Sequence, residues 1–176
     1  EFTTQGVSTL SMAGGIQSLS LTGGKHWINE GTVSLSGDDR ILFGSTGTNT
    51  LTNAAGATFN LSSTFSTPLQ FNGGVAVFNN AGILNQTLAG AHAITNGVTF
   101  NNTGEVNVDA GTLMLGGSGT DTGQDAVDEG AVLSLDGGTR TLNANSNVTG
   151  LGRLTVSGAT VNVNDLLDLA TTGAGL

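Results

Sequence analysis

A short phrase recurs along this chain: an apolar residue, an asparagine, any residue, a glycine, then alternating apolar and polar residues. Its clearest copy lies at residues 100–117, FNNTGEVNVDAGTLMLGG. There Val106 and Val108 can face one way while Glu105, Asn107 and Asp109 face the other. Leu113 and Leu115 resume the alternation after the corner Asp109-Ala110-Gly111. Period-two patterning marks half-buried strands. Two short strands joined by a glycine corner are too small to fold alone, so the unit has to stack on copies of itself.

The copies are present. Glycines anchor them at Gly31, Gly56, Gly82, Gly104, Gly130 and Gly152, with spacings of 25, 26, 22, 26 and 22, and Gly6 lies 25 before the first. A repeat of this size means a solenoid or array. The fold class expected is therefore all-β: a parallel β-helix of about seven coils, 22–26 residues each. With coils about 4.8 Å apart, such a rod is about 34 Å long. Trp27, Phe78, Phe100 and Val148 precede their glycines by four and are expected to form one internal stack. Val33, Val106 and Leu154 are expected to form another, and Asn29, Asn80, Asn102 and Asp128 a hydrogen-bonded ladder. Phe59 and Leu133 fall one position late, which predicts bulges. The coil of Gly82 does not align. A rival, an antiparallel β-roll or sandwich, would draw on the Asn-Gly pairs Asn72-Gly73 and Asn96-Gly97 as hairpin turns, and the period favours the helix.

Between these anchors the chain is mostly corner chemistry. It has 29 glycines and one proline, Pro68. Residues 116–125 read as a long Gly/Thr/Asp loop, Lys25-His26-Trp27 as an exposed corner or a cap, and 164–169 as the only short stretch able to form a helix. Charged residues make up 10% of the chain and its net charge is −9. That argues against a nucleic-acid partner, which needs a basic face, and against electrostatic docking on anionic lipid. No apolar run is long enough for a transmembrane helix, so no direct membrane insertion is expected. Cysteine is absent, which excludes disulfides and thiolate metal sites. The chain opens Glu1-Phe2 and closes mid-pattern. It is read as one segment, 1–176, excerpted from a longer surface protein.

The phrases Asn101-Asn102-Thr103-Gly104-Glu105-Val106-Asn107-Val108 and Gly150-Leu151-Gly152-Arg153-Leu154-Thr155-Val156-Ser157-Gly158 resemble the strand repeats of bacterial autotransporter passengers and filamentous-haemagglutinin-like adhesins. The resemblance covers nearly the whole chain. It implies a secreted right-handed parallel β-helix on a Gram-negative cell surface, used as a stalk or adhesin. Its partners would be a protein or glycan of a host or neighbouring cell, or another copy of itself. It supplies no catalytic residues.

The residues able to carry chemistry are few. Gly116-Gly117-Ser118-Gly119-Thr120-Asp121 matches the start of the calcium nonapeptide, although the position of its large apolar residue is Gly123 and no second copy follows. The acidic group Asp121, Asp125, Asp128 and Glu129 is a further calcium possibility, read here as a solvated acidic loop. No cofactor is expected, and Asp121, Asp125 and Asp128 are the calcium candidates. Asp38, Asp39 and Arg40 match the carboxylates and cation of a sugar-cleaving β-helix, but Gly37-Asp38-Asp39 also reads as a surface turn whose substitution should change little. His26 and His92 lie in different coils, and no Ser-His-Asp spacing is present. The single tryptophan and absence of tyrosine argue against an aromatic sugar platform. The reading is a structural or adhesive segment without catalytic activity. Its alternative is a polysaccharide-binding or polysaccharide-cleaving β-helix, and a third candidate is an ice- or glycan-binding face of threonines, for which no Thr-x-Thr ladder repeats at the coil period.

Overall fold

Runs of three to six alternating residues, each ended by a glycine or polar corner, leave no room for a helix and produce short strands. The computed structural model describes residues 1–165 and 168–171, and all the regular structure among them is β. Sheet A stacks Phe2–Thr4, His26–Asn29, Thr48–Asn53, Val75–Asn80, Val98–Asn102, Gly119–Asp121, Thr139–Leu142 and Thr160–Val163. Sheet B stacks Val7–Leu10, Thr32–Gly37, Thr58–Ser63, Ile83–Gln86, Glu105–Val108, Gln124–Val127, Asn147–Gly150 and Asp168–Thr171. Sheet C stacks Ser18–Leu21, Arg40–Phe43, Leu69–Phe71, Ala91–Ile94, Thr112–Leu115, Val132–Leu135 and Arg153–Val156. The chain visits A, B and C in turn, and neighbouring strands pair in parallel, as Val75–Asn80 does with both Thr48–Asn53 and Val98–Asn102. This is a three-sided β-solenoid of seven complete coils. The antiparallel alternative fails because each strand's neighbour in its sheet is three strands away in the chain.

The lumen holds the core. Trp27, Leu51, Phe78 and Phe100 share one register position in sheet A. The rings of Trp27, Phe78 and Phe100 join a continuous aromatic column that includes Phe2 and, bridging past Leu51, Phe59 of sheet B: Phe2–Trp27 at 5.4 Å, Trp27–Phe59 at 6.2 Å, Phe59–Phe78 at 5.7 Å and Phe78–Phe100 at 5.2 Å between centroids. Such offset or tilted ring pairs add to the burial of apolar area. Trp27 is thus a core residue, not an exposed corner, and its indole N–H donates to Thr4 Oγ1 at 3.0 Å.

Beside the column runs the amide ladder. Asn29 Nδ2 donates to Asn53 Oδ1 (2.8 Å), Asn53 to Asn80 (2.8 Å) and Asn80 to Asn102 (2.9 Å). The second N–H of each of the first three amides meets the carbonyl of Thr58, Ile83 or Glu105 at 2.9 Å. Buried amides in such a chain satisfy one another from coil to coil.

Four assignments change. The rung after Asn102 is Asp121, not Asp128, which lies on an exposed corner, and Asn53 is a rung in its own right. Val148 does not join the Trp27 column but continues the sheet B row of Val33, Phe59, Leu84 and Val106. Leu154 stacks with Leu113 and Leu133 in sheet C. Residues 116–125 are not a loop, since they contain Gly119–Asp121 and the first residues of Gln124–Val127. The cause is common to all. Gly31, Gly56, Gly82 and Gly104 mark the corner between sheets A and B, whereas Gly130 and Gly152 mark the corner between B and C. Steps between successive ladder rungs are 24, 27, 22 and 19 residues, wider than the expected range. The late position of Phe59 is absorbed by a longer corner at 54–57, because Val33 and Phe59 pair directly, and no bulge is needed. Asn80 also aligns the coil of Gly82 with both neighbours. In the 164–169 stretch, Asp168 and Leu169 belong to a strand, while 166 and 167 lie outside the described residues.

Candidate functional site

The strongest concentration of charge lies inside the solenoid. Alternation puts Asp121 in phase with Gly119, Asp125 in phase with Val127, and Arg140 in phase with Leu142, so all three side chains point into the lumen. Arg140 is fully buried, with Asp121 and Asp125 nearly so. Asn102 ends the amide ladder by presenting Nδ2 to both carboxylates, at 3.4 Å to Asp121 Oδ1 and 3.2 Å to Asp125 Oδ1. Asp121 also accepts the Gly123 N–H at 2.9 Å, the role Asn29 and Asn102 play for Gly31 and Gly104. Arg140 Nη2 lies 3.5 Å from Asp121 Oδ2. Its Nη1 reaches back past the coil of Gly119 to donate to the Phe100 carbonyl at 2.6 Å, with the guanidinium 5.6 Å from the Phe100 ring centre. The missing side chain at Gly119 makes this possible, because a Cβ there would overlap both the Phe100 carbonyl oxygen and Arg140 Nη1. Burial raises the pKa of Asp121, against the pull of the Gly123 N–H and Arg140. Burial, reinforced by the Asp121 charge, raises that of Asp125 well above the ordinary carboxylate value.

This arrangement overturns the reading of the acidic group as one solvated loop. Asp128 and Glu129 are exposed, but Asp121 and Asp125 are inside. Nor do Asp121, Asp125 and Asp128 converge on one point, since the first two face the lumen and the third faces out. The cation facing Asp121 is the guanidinium of Arg140. Among the described residues no group of three or more His, Cys, Asp or Glu side chains is placed to hold a metal.

The trio Asp38, Asp39 and Arg40 is dispersed into structural contacts. Gly37 has a φ of 70°, and Asp38 makes the expected turn. Asp39, however, is fully buried rather than superficial. Its carboxylate accepts the backbone N–H of Met12 at 2.6 Å and of Gln17 at 3.0 Å, tying the corner 12–17 to the next coil. Arg40 donates to Ser18 Oγ and Gln70 Oε1, both at 2.7 Å. Asp39→Ala is therefore expected to cost about 1–3 kcal/mol, the range for leaving buried donors without acceptors, whereas Asp38→Ala should stay within about 0.5 kcal/mol. Denaturant unfolding of the two variants side by side checks this, and equal effects would contradict the assigned role of Asp39.

His26 lies on the outer face of sheet A with Nδ1 2.7 Å from Thr50 Oγ1. His92 is buried in the lumen, its Nδ1 2.7 Å from Gln86 Nε2, and burial lowers its pKa. Nδ1 therefore accepts from the amide and the ring is neutral. The two histidines belong to different coils and different faces, so they form no joint site. Sequence reasoning passed over Arg140, Gln86 and His92 as lumen residues, although each alternates in phase with a buried leucine or isoleucine.

Outside, charge is sparse on every sheet: among the described side chains, sheet B presents Glu105 and sheet C Arg40 and Arg153. Sheet A presents in register His26, Thr50, Val77 and Thr99 in one row, and Thr3, Ile28, Thr52, Asn79 and Asn101 in the next. Thr120, Thr141 and Asn162 continue that second row in the later coils, alongside Thr139 and Thr160. No outward position of a sheet A strand carries Asp, Glu, Lys or Arg. Side chains cross-link along the rows, as from Asn101 Nδ2 to Asn79 Oδ1 (3.0 Å) and from Thr120 Oγ1 to Asn101 Oδ1 (3.2 Å). The threonines are thus aligned in space although the varying coil length hides them from a search at a fixed period. No helix among the described residues is long and apolar enough to cross a membrane.

Comparison with protein-family models, with curated proteins and with solved structures found no match. The class that the geometry defines is a three-sided parallel β-solenoid with an aromatic and amide-laddered lumen.

Proposed function

We propose that this chain is a structural and adhesive segment of a secreted bacterial surface protein, a stalk or passenger that meets its partner through the outer face of sheet A. The supporting observation is the lack of any charged side chain on that face in a chain of net charge −9. An ordered array of hydroxyls and amides without charge suits an uncharged, hydroxyl-rich partner, and a neutral glycan on another cell is that chemistry. Burial of the lumen side chains on both neighbours of each coil gives the rigidity a stalk requires. The proposal assigns the chain no catalytic role. The resemblance of its repeats to autotransporter passengers and filamentous-haemagglutinin-like adhesins points the same way.

The test is binding of the immobilised protein to a panel of neutral and acidic glycans and to whole cells. Thr52→Lys with Thr141→Lys, which charges sheet A, is expected to weaken binding at least about tenfold, a cost of about 1.4 kcal/mol. Thr58→Lys, which charges sheet B instead, should leave it unchanged. Absence of binding to every surface, or equal loss from both faces, would reject the proposal.

A further inference from the structure

The cluster in the lumen has more negative than positive charge. With every group ionised, Asp121, Asp125 and Arg140, all buried in the lumen, sum to −1. Burying a net charge is far costlier than burying a neutral set, and the usual outcome is that one group gives up its charge. The guanidinium cannot supply a second positive charge, so a proton is the simplest neutralising partner.

The contacts identify the carboxylate that takes it. Asp121 receives three favourable partners: the Gly123 N–H, the Asn102 amide and the Arg140 guanidinium. Asp125 accepts one hydrogen bond, from the Asn102 amide at 3.2 Å, and the pull of the Arg140 charge on it is outweighed by burial and by the Asp121 charge. Its other lumen neighbours are Val106 and Val148, which flank it in sheet B. Leu113, Leu133 and Leu154 line the same coils from sheet C, and none of them titrates. On the outer side, Glu105 and Gln124 pair in register facing away from the lumen, and Asp128 is exposed. His92 is the nearest further titratable group of the lumen in sheet C. It sits in the coil before that of Asn102, bonded to Gln86.

We propose that Asp125 is a proton-dependent latch: protonated, it completes a neutral Asn102–Asp121–Asp125–Arg140 cluster that ties three successive coils together, and its ionisation loosens them. The position fits the task. The amide ladder stops here, the coil step shortens to 19 residues, and Arg140 bonds across two coils to Phe100. The inference is independent of whether sheet A binds a glycan.

The sign follows from linkage. An unfolded Asp125 ionises near a pH of about 4, whereas the folded one keeps its proton to a higher pH because burial and the Asp121 charge both oppose ionisation. Between those two points the folded state holds one proton more than the unfolded state. Stability from this group is thus full in acid and is lost as pH rises through that window, then levels off.

The experiment compares equilibrium unfolding of the parent and of Asp125→Asn, a neutral isostere, from pH 4 to 9. The ratio of their unfolding constants, parent over variant, is expected to rise by up to about tenfold per pH unit inside the window, the limit for one proton. Parallel pH profiles would overturn the latch. Should the variant not fold, carbon-13 NMR of the aspartate carboxyls in the parent decides. One buried carboxyl, assigned to Asp125 by through-bond correlation to its own backbone, should titrate well above the others, and it should stay in place in Asp128→Asn, a change at an exposed corner. A spectrum in which every carboxyl ionises near the ordinary value would refute the proposal outright.

Discussion

Arg140→Met is expected to destabilise the solenoid by about 3–5 kcal/mol, the range for breaking a buried ion pair from one side. The substitution retains most of the apolar volume but removes the only cation of the lumen cluster. Asp121 and Asp125 are then left facing each other, and the Phe100 carbonyl loses its 2.6 Å donor. A triple variant, Arg140→Met with Asp121→Asn and Asp125→Val, should recover most of the loss, since replacing a whole buried charge cluster is often neutral or stabilising. Asn at 121 would also extend the ladder by one rung. Unfolding midpoints of parent, single and triple variants check both steps. A harmless single variant would mean that the guanidinium is not the group holding the carboxylates.

Leu113→Ala is expected to cost about 2–5 kcal/mol through lost burial and a residual cavity. Leu113 is fully buried in sheet C between His92 and Leu133. Because each coil packs chiefly on its two neighbours, the damage should be local and should split the array. Hydrogen exchange is then expected to quicken in the coils around residues 91–135 while those around residues 26–63 keep their protection. Uniform loss across the chain would show instead that the rod unfolds as one cooperative block. A variant as stable as the parent would show that Leu113 does not carry core packing.

The fold was legible in the residues because two periodicities coincide. Alternation within strands separates lumen from surface, and recurrence of the Asn-x-Gly phrase sets the size of a coil. Val33 and Val106, Trp27 with Phe78 and Phe100, and Asn29 with Asn80 and Asn102 all occupy the shared positions expected of them. The side of the triangle on which a given phrase falls was not legible. All three sides are short alternating runs ended by small residues, so the phrase at Gly130 and Gly152 looks like that at Gly104 although it turns a different corner. A phase error of one side carried Val148, Leu154 and Asp128 into the wrong columns. It also dissolved Gly119–Asp121, a strand of three residues, into a loop.

The sequence by itself determined that this chain is a stack of β coils with an apolar and asparagine-lined interior, because burial pattern and period are properties of neighbouring residues. Only the tertiary structure decided where the charges went. Asp39, Asp121 and Asp125 read as surface chemistry in isolation, since charged residues are seldom buried unless paired, and Arg140 drew no reading at all. Their partners are 19–40 residues away or on another coil: the amides of Met12 and Gln17, the side chain of Asn102, and the carbonyl of Phe100. Such pairing depends on the register between coils, and coil lengths that vary from 19 to 27 residues leave that register unspecified until the strands are stacked.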